Sequence, residues 1–219
     1  ASGNIAADSL ELSGVLDMGS NALNADQLTN NGSIEVSTGD VSGIAEGQVG
    51  NFVFKGANTI PGRIYKTLTI DALGSVLNLG GPVSSETVDI RAGSLDLAGK
   101  NISSLYGLTN QGTLSLLGSE SITGPVTNLS GSSVNYRGSG IYQNLAAGNE
   151  YDDLSFSGTG TWGLSENLDI TGDLNLNSGV LNANGKTITI AGDWVNNAGF
   201  NNGGGWVIFD GDSEIKGTK

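Results

Sequence analysis

Three stretches of this chain repeat nearly the same line: "SGVLDMGSNAL" (13–23), "AGSLDLAGKNI" (92–102) and "SGVLNANGKTI" (178–188). A recurring line constrains a fold more than composition does, because each copy must solve the same packing problem. Gly14, Gly93 and Gly179 align, at spacings of 79 (93 − 14) and 86 (179 − 93) residues. The lines that follow agree: "LTNNGSI" (28–34), "LTNQGTL" (108–114) and "WVNNAGF" (194–200) bring Asn30, Asn110 and Asn196 into correspondence. The other half of the unit appears twice, as "GNFVFKGANTIPGRIYKTLTI" (50–70) and "SSVNYRGSGIYQNLAAGNEYDDLSF" (132–156). The chain reads as about two and a half passes of one long unit, near 1–49, 50–131 and 132–219, within a single domain 1–219.

Apolar residues alternate within each unit, as in Phe52/Phe54, Leu68/Ile70, Leu95/Leu97, Leu154/Phe156 and Leu174/Leu176. Alternation of this kind gives strands with one buried and one wet face. Gly and Asn fill nearly every gap, and the 36 glycines supply turns that need positive φ. No amphipathic helical stretch is visible. Many short strands in a long repeat predict an all-β solenoid, the right-handed parallel β-helix, with coils packed on their neighbours. A tandem of small β-sandwiches is the alternative.

Composition limits the chemistry. With no cysteine there is no disulfide framework and no thiolate. With no histidine, the usual general base and the usual zinc ligand are missing. The formal net charge of −13 repels a phosphate backbone, so no nucleic-acid partner is expected. No apolar run reaches the length of a membrane span. "ASGN" (1–4) reads either as a mature end or as a cut within a longer protein.

The stretch 134–211 resembles the long β-strand repeats of large secreted bacterial surface proteins, of the filamentous-haemagglutinin and autotransporter-passenger kind. Its motifs are a Tyr-x-x-Leu strand ("YKTL" 65–68, "YDDL" 151–154), "SGTGTW", "GDLNLNSG", "NGKTITIAGDW" and "WVIFDG". The resemblance covers nearly the whole chain, more loosely before residue 130. It implies an extracellular, cell-surface structural protein without enzymatic activity: a stiff rod, filament subunit or stalk of an adhesin.

β-Helices also house polysaccharide lyases and hydrolases, and Asp152–Asp153 beside Glu150 is the nearest approach to their paired carboxylates. The position carries Lys66–Thr67 in the earlier copy, "RIY" (63–65) is a poor basic partner, and no catalytic residue is assigned. No cofactor or metal site is expected either. Calcium candidates are confined to Asp210, Asp212 and Glu214 in an oxygen-rich turn that lacks EF-hand spacing. Asn30, Asn110 and Asn196 are expected as turn residues, or as a side-chain ladder between coils. Tyr65 and Tyr151 are expected to plug coil corners, and the tryptophans to be core or caps. The expected partners are further coils, from end-to-end self-association or from more repeats of the same chain. Surface glycans are a second class, which needs an exposed aromatic row.

Overall fold

The computed structural model describes residues 1–45 and 50–218. The chain is all-β with no helix among them, and the strands described pair in parallel. It forms the right-handed parallel β-helix, so the sandwich alternative falls. The strands divide into two compact units. Unit 1 is Ala1–Thr109 with Ile122–Pro125, and unit 2 is Asn110–Ser121 with Val126–Lys219.

In unit 2 three ladders run side by side. One stacks Thr113–Leu116, Ser133–Tyr136, Asp153–Phe156, Leu174–Leu176, Trp194–Asn196 and Ile215–Gly217. The second stacks Ile141–Tyr142, Thr161–Gly163, Val180–Asn182 and Gly199–Asn201. The third stacks Glu150–Tyr151, Leu168–Ile170, Ile188–Ile190 and Val207–Phe209. The chain visits the ladders in that order, then begins again one coil higher. The same inward position recurs at Leu114, Val134, Leu154, Leu174, Trp194 and Ile215, a coil of about 20 residues.

Alternation explains why the coils hold. Leu154 and Phe156 point inward and are buried, while Asp153 and Ser155 point outward. Each inward residue lies on its counterpart about 4.8 Å away, the spacing of paired strands. The column Leu114, Val134, Leu154 and Leu174 is wholly buried. Aromatic rings fill the wide part of the bore. Tyr136 stacks on Phe156, Phe156 meets Trp162, and Trp162 stacks on Tyr142.

Unit 1 is built the same way with less even coils. Leu16, Ile34, Phe52, Leu68 and Val88 stack in register. Ile5–Leu12 pairs with Leu23–Asn30 in a two-stranded sheet, and Val76–Asn78 pairs with Ser94–Asp96 further along the large sheet. Tyr65 closes a corner, donating its hydroxyl to the Pro61 carbonyl at 2.8 Å.

The ladders step once per coil, about 20 residues, so each longer unit of the sequence spans several coils. Gly14 opens the strand Val15–Gly19, which pairs with Ser33–Val36. Gly93 leads into Ser94–Asp96, which pairs with Val76–Asn78 further along the large sheet. The look-alike lines therefore do not share one place in the cross-section. Every coil makes the same demand at each corner, a tight turn followed by an apolar alternation, so similar lines recur. The boundary placed at 49/50 adjoins residues 46–49, which lie outside the described residues.

Candidate functional site

Three corner asparagines make turns. Asn30 Oδ1 accepts the Gly32 N–H at 3.1 Å, Asn110 Oδ1 accepts the Gly112 N–H at 3.2 Å, and Asn196 Oδ1 accepts the Ala198 N–H at 3.1 Å. All three are buried, and all three make the same turn by capturing the N–H two residues on. Two of them also bridge coils. Asn30 Nδ2 donates to the Asn51 carbonyl at 3.1 Å, and Asn110 Nδ2 donates to Asn128 Oδ1 at 3.2 Å. The turn role and the ladder role thus coexist in one residue.

The three aligned glycines are not alike. Gly93 has φ of +83° and Gly179 has φ of +76°. A Cβ on either would collide with a carbonyl of the preceding coil, that of Ala72 or of Gly160. Gly14 has open space around it and needs no glycine for steric reasons.

A column of carboxylates runs up unit 2. Asp153 Oδ1 accepts the Asp173 N–H at 2.9 Å, Asp173 Oδ1 accepts the Asp193 N–H at 2.7 Å, and Asp193 Oδ1 accepts the Glu214 N–H at 2.9 Å. Lys216 closes the column by donating to Asp193 Oδ2 at 3.0 Å and pairing with Glu214 at 2.5 Å. The Glu214 N–H and the Lys216 ammonium hold the Asp193 carboxyl below its ordinary range. Sequence reasoning missed this column. Its signal was an Asp at 153, 173 and 193, a spacing of one coil.

The discounted acidic pair is occupied by the same kind of work. Asp152 Oδ2 accepts the Gly131 N–H at 2.6 Å, and its Oδ1 accepts the Thr171 hydroxyl at 3.0 Å. Arg63 of the "RIY" stretch is in unit 1, where its Nη2 donates to the carbonyls of Val41 and Ile44. The calcium candidates Asp210, Asp212 and Glu214 are exposed and are not drawn into a ligand set. Among the described residues no three acidic side chains are placed to hold a metal ion.

The aromatics split. Tyr151 is buried and donates to the Gly148 carbonyl at 2.6 Å, the same corner role that Tyr65 plays in unit 1. Trp162 is fully buried. Trp206 is not core: it is 73% exposed. Alternation accounts for this, since Val207 and Phe209 point inward and leave Trp206 and Ile208 on the outer face. Tyr106 is also exposed, in unit 1.

Tyr136 and Tyr151 meet inside unit 2, hydroxyl to hydroxyl at 3.4 Å. The Ala147 N–H donates to Tyr136 Oη at 3.0 Å. Burial pushes the Tyr136 hydroxyl up to about 12 and raises Tyr151 well above its ordinary value. The pair pins the loop 143–149 from below. Beside that loop lies a groove of about 260 Å³ lined by Asn144, Leu145, Gly148, Asn149, Leu164 and Leu168, with Ser165 and Glu166 at its rim.

Compared with known protein families, curated proteins and solved structures, the chain matches none. No helix among the described residues is long and apolar enough to cross a membrane.

Proposed function

We propose that this chain is a structural segment of an extracellular surface protein, a stiff β-solenoid rod serving as shaft, stalk or filament subunit. The observation that carries the reading is the unbroken stacking within each unit. In unit 2 the inward column Leu114, Val134, Leu154 and Leu174 repeats coil after coil without a change of register. Such a stack resists bending because every coil is hydrogen-bonded and packed to the next along three faces. The resemblance of residues 134–211 to secreted bacterial repeats supports the extracellular placement.

The coil 199–217 supports a role for coil-to-coil joining. Its strands Gly199–Asn201, Val207–Phe209 and Ile215–Gly217 each pair on one side within the described residues. Phe200, Val207 and Phe209 are half-buried where the coil below buries Leu181, Ile188 and Ile190. Unpaired strand edges over an apolar bore favour covering by another coil, supplied by the same chain or by a second copy. Electron microscopy of the purified chain over a range of concentrations tests both points. Straight, thin particles are expected, and lengthening with concentration marks end-to-end joining. Rounded particles would sink the rod reading.

A further inference from the structure

We propose that the groove between loops 143–149 and 164–168 of unit 2 binds a neutral pyranose ring, the terminal sugar of a glycan. This goes beyond the rod reading and stands on separate observations.

The floor is apolar. Leu164 and Leu168 are buried beneath it, and Leu145 forms a half-buried wall. The rim is polar and uncommitted. The side chains of Asn144, Asn149, Ser165 and Glu166 make no hydrogen bond or ion pair with any described residue. That sets them apart from other corner side chains nearby. Asn184 Nδ2 donates to the Leu164 carbonyl at 3.1 Å, Asn167 Oδ1 accepts the Thr187 N–H at 3.0 Å, and Asn128 Nδ2 donates to the Ala147 carbonyl at 3.2 Å. Those three amides are used in holding coils together. The amides around this floor are left over.

The groove is also held in shape. The Ala147 N–H is fixed by Tyr136, the Gly148 carbonyl by Tyr151, and the Asn149 carbonyl by the Asp169 N–H at 3.0 Å. A loop tied at three successive residues loses little further freedom when a ligand enters, and preorganisation of this kind favours binding.

The chemistry selects the ligand class. An apolar floor fits the C–H face of a sugar ring. Two amides and a hydroxyl offer both donors and acceptors, and one carboxylate accepts from a pair of hydroxyls. The set contains no cation to hold a phosphate or a carboxylate sugar. One carboxylate is too few oxygens for a hard metal ion. The volume suits one ring. With no aromatic platform in the groove, affinity is expected on the order of 1 mM.

The test is saturation-transfer NMR on the full chain with methyl glycosides of glucose, galactose, mannose and N-acetylglucosamine, each at tens of millimolar. Transfer to the ring protons of at least one glycoside is expected. Asn149→Ala and Glu166→Ala, both at exposed positions, should each weaken it by about tenfold with the melting temperature unchanged. Absence of transfer from all four glycosides would overturn the proposal. So would transfer that survives both substitutions and disappears in Trp206→Ala or Tyr106→Ala, which would move the sugar onto an exposed aromatic.

Discussion

Asp173 accepts, through Oδ1, the backbone N–H of Asp193 at 2.7 Å, one coil above it in unit 2. The bond belongs to a series in which Asp153 serves Asp173 and Asp193 serves Glu214. Each carboxylate satisfies an N–H just before a strand of the first ladder, so the column sets where that ladder restarts on each coil. It also lines up like charges one coil apart, which the N–H donors and Lys216 offset.

Asp173→Ala is expected to destabilise unit 2 by about 1 kcal/mol, because it leaves the Asp193 N–H without its acceptor. Asp173→Asn keeps an acceptor oxygen at the same place and should recover most of the loss. Paired urea titrations measure the difference. Equal losses in the two variants would mean that charge, not the N–H, governs the position.

The column also sets a pH dependence. The Asp193 carboxyl is held below its usual range in the folded state, chiefly by the Glu214 N–H and then by Lys216. A lowered folded value contributes stability that is present above the unfolded value, near ~3.9, and lost as pH falls through the folded one. Stability should therefore be flat from neutral pH to about 5 and decline below ~3.9. Replacing Asp193 by Asn should flatten that acid decline, as followed by circular dichroism against pH. An unchanged acid limb would place the acid-sensitive group elsewhere.

The aspartates mark how far the sequence could be read. Alternation in pairs such as Leu154/Phe156 and Leu174/Leu176 names the buried face directly, and the structure keeps it. Asn30, Asn110 and Asn196 were legible as turn residues because the Asx turn is local chemistry. The coil length was not. Look-alike lines about four coils apart drew attention past the one-coil step from Leu154 to Leu174, since coil-to-coil similarity is conserved in pattern and not in identity. The groove was illegible for a related reason. Asn144 and Glu166 become neighbours only because the corners of successive coils stack, and no local motif records that.

Tyrosine burial predicts an alkaline limit. Tyr136 is raised to about 12 by burial, against its hydrogen bonds with the Tyr151 hydroxyl and the Ala147 N–H. A raised folded value for an acid that is neutral when protonated gives stability that is full below the unfolded value near ~10 and lost as pH rises through the folded one. The tyrosinate absorbance of Tyr136 and Tyr151 should therefore appear late, together with unfolding. Tyr136→Phe leaves the Ala147 N–H buried without an acceptor and should cost about 1–3 kcal/mol. Early, reversible titration of all five tyrosines would show that the pair is open to solvent.

The glycines separate turn geometry from resemblance in sequence. Gly93 and Gly179 hold positive φ and have a carbonyl of the preceding coil where a Cβ would go, whereas Gly14 has neither constraint. Ala at Gly93 or Gly179 should destabilise its own unit by more than about 1 kcal/mol, since both the backbone strain and the lost coil contact act in one direction. Ala at Gly14 should be neutral, or stabilise by up to about 1 kcal/mol through the unfolded chain. Thermal melts of the three single variants compare them directly. If Gly14→Ala were as damaging as the other two, the aligned lines would share a structural role after all.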